Sequence, residues 1–306
     1  MKPFSCYFIF AALISIFSSC SDELIKLYHP EELEVFECYW LLETVTYPNE
    51  NPGFSARNGH TFTYTDDDLM KTIKSLNKKD STIVVDYLNN KVSYSRIIRP
   101  NENMAYYDSL LIFLNADKRA KYALHHRYTE ENRASKIMSI NDSTTFVYDA
   151  AGYMKQLNRY SFAGNVASLT YSETYTVVNG NITEVSTSDD YRFIYSYDDK
   201  VHAAPSEYCY EMPRNTFNIG TDCWLMYNLP LFSDYMGTRS KNNVIHTEIR
   251  KINEKEDILY ADIRYEYSFD ENELVTKATM SGVMNNKSFE NYVTTFSYIE
   301  KEKKIE

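Results

Sequence analysis

The sequence predicts a mainly β protein, an antiparallel meander of successive hairpins that forms one large twisted or curved sheet. Turn-forming segments recur at short intervals from residue 83 onward, with no long helical period between them. Segments such as Tyr265-Glu266-Tyr267-Ser268-Phe269 alternate ring and polar side chains, which is typical of a sheet with one packed and one solvated face. The chain also carries 28 Tyr and 16 Phe against 8 Gly and 8 Pro, and aromatic residues favour strands.

Three elements are predicted before the hairpins begin. In residues 35–47 apolar side chains occur at every second position, and the β-branched end of the segment favours a strand over a helix. Residues 60–64 predict a short strand. Residues 66–76 predict a short amphipathic helix, because three aspartates precede apolar residues at helical spacing.

Hairpins account for most of the remaining chain. The predicted strand pairs are 83–88 with 91–98, 110–114 with 122–128, 144–148 with 153–160, 167–178 with 182–186, and 244–252 with 258–269. Further strands are predicted at 191–197, 273–280 and 292–298. Asn179-Gly180 is the strongest turn signal, because both residues tolerate the positive φ of a tight hairpin turn.

Residues 200–243 interrupt this pattern and predict a short helical or looped insertion. Residues 222–229, with Asp222 as a cap, and residues 232–236 could form short helices that cover part of the sheet. Three aromatic residues here are candidate ligand-binding residues, because exposed rings can stack on sugars: Trp224, Tyr227 and Tyr235.

Cysteine usage leaves the redox state open. Cys38, Cys209 and Cys223 remain outside the N-terminal segment, and an odd number cannot all pair. Three small buried thiols are the favoured interpretation, and a Cys209–Cys223 disulfide is the alternative, since the cell envelope permits disulfides.

The N-terminus predicts a lipoprotein. Residues 7–17 form an apolar stretch about half as long as a membrane-spanning helix requires, so residues 1–19 predict a cleaved signal peptide. Small residues directly before Cys20 indicate cleavage by lipoprotein signal peptidase, which leaves Cys20 acylated and attached to the membrane. Ordinary signal-peptide cleavage nearby, with Cys20 a plain thiol, is the alternative. Residues 20–33 are then a lipid-anchored tether, and residues 34–306 are a single antiparallel β domain.

Composition and motifs exclude several classes of function. The net charge of −11 leaves no basic surface for nucleic acid. The six histidines form no zinc-binding spacing, and His125-His126 on one strand would point to opposite faces. The sequence contains no nucleophile elbow, phosphate-binding loop or dinucleotide motif. No enzyme activity, metal or cofactor is predicted.

Tyr-rich units that end in Asp carry a family resemblance. Residues 146–153, 195–198 and 265–270 look like degenerate YD repeats, in which a Tyr-rich strand ends in Asp and turns back. Their order, with the insertion, resembles an uncharacterised family of Bacteroidota-type lipoproteins with a domain of unknown function. Ser21-Asp22-Glu23 resembles the export signal of such lipoproteins, which implies an outer-membrane protein exposed at the cell surface. The Asp of each unit is expected to accept a hydrogen bond from turn N–H groups.

The sequence therefore predicts a non-enzymatic binding module of the cell envelope, tethered to the membrane, for a glycan, a peptide or an outer-membrane partner. The first alternative is a structural or assembly component of the outer membrane, because a partner strand can extend an open sheet edge. The second is a hydrolase with an unrecognised site.

Overall fold

The computed structural model describes residues 35–46, 59–75, 82–101, 104–131, 135–163, 166–201, 235–252, 257–284 and 286–305. These residues form sixteen strands. The strands are β1 (Val35–Thr46), β2 (Gly59–Tyr64), β3 (Met70–Ser75), β4 (Thr82–Leu88), β5 (Lys91–Asn101), β6 (Met104–Leu114), β7 (Ala120–Glu131), β8 (Ser135–Tyr148), β9 (Met154–Ala163), β10 (Val166–Val178), β11 (Asn181–Thr187), β12 (Tyr191–Val201), β13 (Asn242–Ile252), β14 (Asp257–Phe269), β15 (Val275–Met284) and β16 (Lys287–Ile305).

All sixteen strands belong to one closed barrel, in which each strand lies beside its neighbours in the chain and β1 lies beside β16. At the closure, Thr44 Oγ1 of β1 lies 2.5 Å from Ser297 Oγ of β16, and Ser297 donates a hydrogen bond to Glu43 at 3.0 Å. The prediction of an antiparallel, mainly β protein is confirmed. The sheet, however, is a closed barrel and not an open meander.

The chain divides into two compact units. The larger, Glu43–Ser297, contains segments of all sixteen strands and includes the contact between Thr44 and Ser297. The smaller comprises Met1–Leu42 with Tyr298–Glu306, and in its described part Leu41 and Leu42 are buried. The predicted signal peptide and nearly all of the predicted tether lie outside the described residues, so these boundaries stay predictions.

Five hairpin turns share one design of five residues, at 65–69, 115–119, 149–153, 187–191 and 270–274. In each, the side-chain oxygen of the first residue accepts the N–H of the fifth, and the fourth residue has a positive φ. Asp270 also accepts from the N–H of Asn272. The expected role of the aspartates in the YD-like units is therefore seen at Asp149 and Asp270. Such turns set the hairpin register locally.

The predicted helix at residues 66–76 is wrong. Residues 66–68 lie in the first of these turns, and Met70–Ser75 form β3. The register shifts so that Thr72 lies opposite Thr63 but Met70 lies opposite Tyr64, which leaves Lys71 as an extra residue. This β-bulge changes the alternation and places buried Met70 and Ile73 three residues apart. The three-residue separation of these buried side chains is therefore the same as that on one face of a helix.

One face of the wall is apolar and buried. In a closed sheet, a side chain that loses all contact with solvent does so by facing the filled interior, so we call this the inner face. Tyr94, Leu110 and Ile249 are each 0% exposed. Other buried inner-face side chains are Phe62, Ile73, Ile83, Val92, Ile112, Met154, Val185, Phe193, Ile263 and Val275.

The opposite, outer face carries ion pairs on β11–β14. Arg192 donates to Glu184 at 2.5 Å, and Arg250 donates to Glu248 at 3.2 Å. Asp262 lies 3.0 Å from the ring of His246. Glu248 and Asp262 are register partners near the middle of β13 and β14, so the charge extends into the centre of the wall.

Residues 235–241, which we call the strap, lead from the insertion into β13 and lie across the turns at one end of the barrel. Thr238 N donates to Gly152 O at 2.8 Å, and Lys241 N donates to Gly180 O at 2.8 Å. Ser240 Oγ accepts from Ile182 N at 2.9 Å. Residues 202–234, which include the predicted helix at 222–229 and most of the predicted helix at 232–236, lie outside the described residues. In the part of the chain that the structure describes, no helix has the length and apolar character needed to cross a bilayer.

Candidate functional site

Six ionisable side chains meet on the inner face of five adjacent strands. They are Arg96 of β5, Asp108 of β6, His125 and Arg127 of β7, Asp142 of β8 and Arg159 of β9. We call this set the ion network. The cross-strand register brings them together, because Arg96 lies opposite Asp108, which lies opposite Arg127, and His125 lies opposite Asp142.

His125 lies between the two carboxylates and is 0% exposed. Its Nε2 is 2.7 Å from Asp108 Oδ1, and its Nδ1 is 3.4 Å from Asp142 Oδ2. Carboxylate oxygens only accept hydrogen bonds, so both ring nitrogens must donate for both contacts to be hydrogen bonds. That arrangement requires the imidazolium form, which the two carboxylates stabilise electrostatically.

Three arginines also donate hydrogen bonds to these carboxylates. Arg96 donates to Asp108 Oδ2 through Nε at 3.1 Å and Nη2 at 2.8 Å, and Arg127 Nη2 donates to the same oxygen at 3.0 Å. Arg159 Nη2 donates to Asp142 Oδ2 at 2.8 Å. Charge-assisted hydrogen bonds of this kind are the strongest in proteins, and here they offset the loss of hydration on burial.

The network shifts the acidity of its members. Burial alone would raise the pKa of the Asp108 carboxyl, but hydrogen bonds from His125 and Arg127 and the charge of Arg96 outweigh burial and lower it. The pKa of Asp142 is lowered in the same way by His125 and Arg159 against burial. Burial lowers the pKa of the Arg96 guanidinium despite the opposing charge of Asp108. Both carboxylates are therefore ionised at neutral pH.

We expect acid to weaken the barrel through these two groups. Their pKa values are below the unfolded value of about 3.9, so their contribution to stability is fully present above about pH 4 and is lost as the pH falls through the folded values. Urea unfolding of the wild type between pH 3 and 7 should show a falling free energy of unfolding below about pH 4. Asp142→Asn should have a shallower slope there, because one carboxyl fewer binds a proton on unfolding. If the free energy of unfolding fell with the same slope below about pH 4 in the wild type and in Asp142→Asn, Asp142 would not be one of the groups responsible.

The arrangement does not provide nucleophilic or general-base catalysis. In a Ser-His-Asp triad one imidazole nitrogen faces the nucleophile, whereas both nitrogens of His125 face carboxylates. Carboxylates with lowered pKa values are also weak bases, because they hold a proton poorly at neutral pH. What the geometry does provide is a rigid cross-link of β5–β9 inside the wall.

A second polar group is buried on the neighbouring strand β10. Glu173 is 2% exposed and accepts hydrogen bonds from Tyr171 Oη at 2.7 Å and from Tyr175 Oη. Burial and the adjacent Glu173 carboxylate raise the pKa of the Tyr175 hydroxyl well above its usual value. Tyr171 lies opposite Arg159 in the register, so this group continues the polar layer begun by the ion network.

The outer face of β4–β7 carries a groove of about 500 Å³ directly behind the network. Its lining side chains on the outer face are Thr82, Val84, Ser95, Ile97, Tyr107, Ser109 and Tyr128, and we call it the outer groove. Arg96 and Asp108 lie in its floor, while their side chains pair on the inner face. The floor strands are thus held from behind by the buried ion pairs.

The structure tests few of the predicted site residues. Cys20, Ser21, Asp22, Glu23, Cys209, Cys223, Trp224 and Tyr227 all lie outside the described residues. Tyr235 is described, at the start of the strap, where its carbonyl accepts a hydrogen bond from Tyr148 Oη at 3.2 Å. This contact holds the backbone of Tyr235 at the barrel end. The ligand-binding role of Trp224, Tyr227 and Tyr235 stays a prediction, as do the lipidation, export-signal and disulfide assignments.

His125 and His126 do face opposite sides, as predicted. His125 lies in the ion network, and His126 lies opposite Ser109 on the outer face. Neither histidine is a predicted site residue, and the sequence motifs predict none of the other five members of the ion network.

Comparison with known proteins indicates the fold. No family model matches the sequence, and no curated protein matches it either. The crystal structure of a porin-like protein from Bacteroides vulgatus ATCC 8482 superposes with a TM-score of 0.53 and 12% identity, over 84% of this chain and 97% of the other. A porin-like protein from Bacteroides uniformis ATCC 8492 gives a TM-score of 0.47 and 10% identity, over 88% and 94% of the two chains. This chain is therefore similar in fold to the protein from Bacteroides vulgatus.

Proposed function

We propose that the protein is an outer-membrane lipoprotein whose closed, non-conducting barrel is a structural component of the envelope and stands in the aqueous phase. The observation that carries this proposal is the sidedness of the wall. Barrels that span a membrane present an apolar band to lipid and a polar interior. Here the inner face is mostly apolar outside the ion network and Glu173. On the outer face, single apolar side chains such as Val84 and Ile97 are exposed, but the mid-strand residues His246, Glu248 and Asp262 are polar or charged and interrupt any apolar band.

The filled interior supports a structural role over a transport role. A circular barrel of about sixteen strands is wide enough to leave an aqueous channel. In this wall the inward side chains of Tyr94, Leu110 and Ile249 are fully buried, so the interior is packed at these levels. The strap also lies across the turns at one end of the barrel.

Lipidation at Cys20 attaches the protein to the membrane, because the charged outer face of the barrel does not insert into lipid. Two or more acyl chains give stable anchoring, and the fold likeness to a porin-like protein supports the outer membrane as the location. The acidic export signal at Ser21-Asp22-Glu23 supports exposure at the cell surface.

Closure of the sheet limits how partners can bind. A closed barrel has no unpaired strand edge, so a partner cannot add a strand as it could to an open sheet. Partners must therefore contact side chains or loops. The outer groove favours a second candidate function, a binding module, because it is a defined concave site on the accessible side of the wall.

A fractionation experiment tests the mode of attachment. We expect the wild type to remain in the membrane fraction, whereas a variant with a non-lipoprotein signal peptide in place of residues 1–19 and with Cys20→Ser is soluble in the periplasm. Cys38→Ser with the native signal is the matched cysteine control and should stay with the membrane. A variant without the lipid that still resists an alkaline carbonate wash would show that the barrel itself is inserted. Purified wild type should produce no conductance in planar bilayers, and stable open channels would refute the structural proposal.

A further inference from the structure

We infer that the outer groove binds a short neutral oligosaccharide. This inference rests on the proposed location in the envelope and deepens the binding role. The volume of the outer groove, about 500 Å³, lies within the range of about 300–1,000 Å³ that is typical of small-molecule sites in proteins.

The groove presents apolar and hydroxyl rows side by side. Across the strands, Ile97 lies opposite Tyr107, which lies opposite Tyr128, and these three form an apolar and aromatic row. One step along the strands, Ser95 lies opposite Ser109, which places two hydroxyls next to that row. Pyranose rings have the same two features, because their C–H faces pack on aromatic rings while their edges carry hydroxyl groups.

The aromatic row is held in position before any ligand binds. Tyr107 Oη donates a hydrogen bond to Glu130 Oε2 at 2.6 Å, which fixes the ring and brings a carboxylate beside it. A carboxylate oxygen accepts hydrogen bonds from sugar hydroxyls. The floor residues Arg96 and Asp108 are joined on the inner face at 2.8 Å, so the groove is built on rigid strands and needs little reorganisation on binding.

Charge favours a neutral ligand over an acidic one. Arg96, the one cation among the lining residues described, turns its side chain inward to Asp108. On the outer face, the Glu130 carboxylate contacts the aromatic row through the Tyr107 hydroxyl. Among the described side chains that line the groove, a phosphate or uronate would meet no outward-facing cation, and the Glu130 carboxylate beside Tyr107 would repel it.

Other ligand classes fit less well. A peptide that binds by strand addition would require a free strand edge, which the closed barrel lacks. An acyl chain would bury the hydroxyls of Thr82 and Ser95 against hydrocarbon, and burial of a hydroxyl without a partner is unfavourable. A saccharide satisfies both the rings and the hydroxyls.

The test uses purified full-length protein in detergent and isothermal titration calorimetry. The probes are neutral trisaccharides of glucose, mannose, galactose and N-acetylglucosamine in α and β linkages, with trigalacturonate as the acidic probe. We expect at least one neutral trisaccharide to bind and trigalacturonate to bind more weakly. The inference is overturned if no neutral probe binds, or if trigalacturonate binds as tightly as the best neutral probe.

Single substitutions then locate the site. Tyr128→Ala should weaken binding about ten-fold, the size of effect that loss of one stacked ring produces, and Tyr128→Phe should retain most of the affinity. Tyr122→Ala is the matched control, because Tyr122 lies on the outer face of the same strand, outside the groove, and stacks on Phe113 at 4.2 Å. Equal losses in Tyr128→Ala and Tyr122→Ala, with unchanged unfolding midpoints, would refute the assignment. Because binding is measured on purified protein, this result is independent of where the protein is located in the cell.

Discussion

Replacing Asp108 by Asn is expected to lower the free energy of unfolding by about 3–5 kcal/mol, the usual effect of removing one partner from a buried ion pair. Asp108 Oδ2 accepts from Arg96 and Arg127, and Oδ1 lies 2.7 Å from His125 Nε2. An amide keeps the shape but carries no charge, and its NH₂ group would face donors. The arginines would then be left with uncompensated charge inside the wall.

The chain provides a matched control on the outer face. Asp262 also lies beside a histidine, with 3.0 Å between Oδ1 and His246 Nε2, but its side chain is 40% exposed. Exposed ion pairs contribute about 1 kcal/mol or less, so Asp262→Asn should be nearly neutral. Urea unfolding of both variants at pH 7 measures the difference. If Asp108→Asn and Asp262→Asn lost similar free energies of unfolding, burial would not account for the contribution of Asp108.

Such a loss would not by itself make the ion network a source of net stability. Replacing a whole buried ion cluster by packed apolar residues is often neutral or stabilising, whereas breaking it is strongly destabilising. The network instead ties five successive strands together through contacts that only one register permits. A shift of the strand register by one residue would turn Arg96 and Asp108 to the outer face, and it would expose the apolar inner-face residues of the same strands.

The hairpins were predictable because their signals are local. The strand pairs on either side of Asn179-Gly180 and of the turn at 149–153 occur where the sequence predicts them. Each turn is specified by side chains within five residues, such as Asp149 accepting from Tyr153 N. Barrel closure was not predictable in the same way, because it depends on β1 lying beside β16, and no local pattern records that contact.

The ion network was missed although the sequence contains a signal for it. Along β5 the buried positions Val92 and Tyr94 are followed in the same phase by Arg96. Along β7 the same phase runs through Ala123, His125 and Arg127. Charged residues in phase with apolar ones indicate buried charge, and here opposite charges occupy facing positions. The pairing of β5, β6 and β7 was predicted only in part, so this complementarity could not be evaluated from sequence alone.

A substitution in the strap is also expected to have a large effect on stability. Gly237→Ala should lower the free energy of unfolding by about 2–5 kcal/mol, from left-handed backbone strain of about 1–2 kcal/mol and overpacking of about 1–3 kcal/mol. Gly237 has a φ of +96°, and a Cβ there would lie 2.3 Å from Gly152 O and 2.8 Å from the ring of Tyr148. Neither neighbour can move easily, because Gly152 O accepts the N–H of Thr238 and Tyr148 Oη donates to Ala120 O.

Gly180→Ala separates the two contributions. Gly180 has a φ of +83°, but its added Cβ would lie 3.6 Å from Lys241 Cβ, an ordinary contact, and 3.3 Å from Tyr153 Oη, a tight contact that a small shift at the end of the tyrosine side chain relieves. This variant should therefore show only the backbone strain, about 1–2 kcal/mol. Urea unfolding gives both values, and hydrogen exchange at the Thr238 amide reports whether the strap has left the barrel end. If both variants lose the same stability and the Thr238 amide stays protected in Gly237→Ala, close packing at Gly237 does not hold the strap in place.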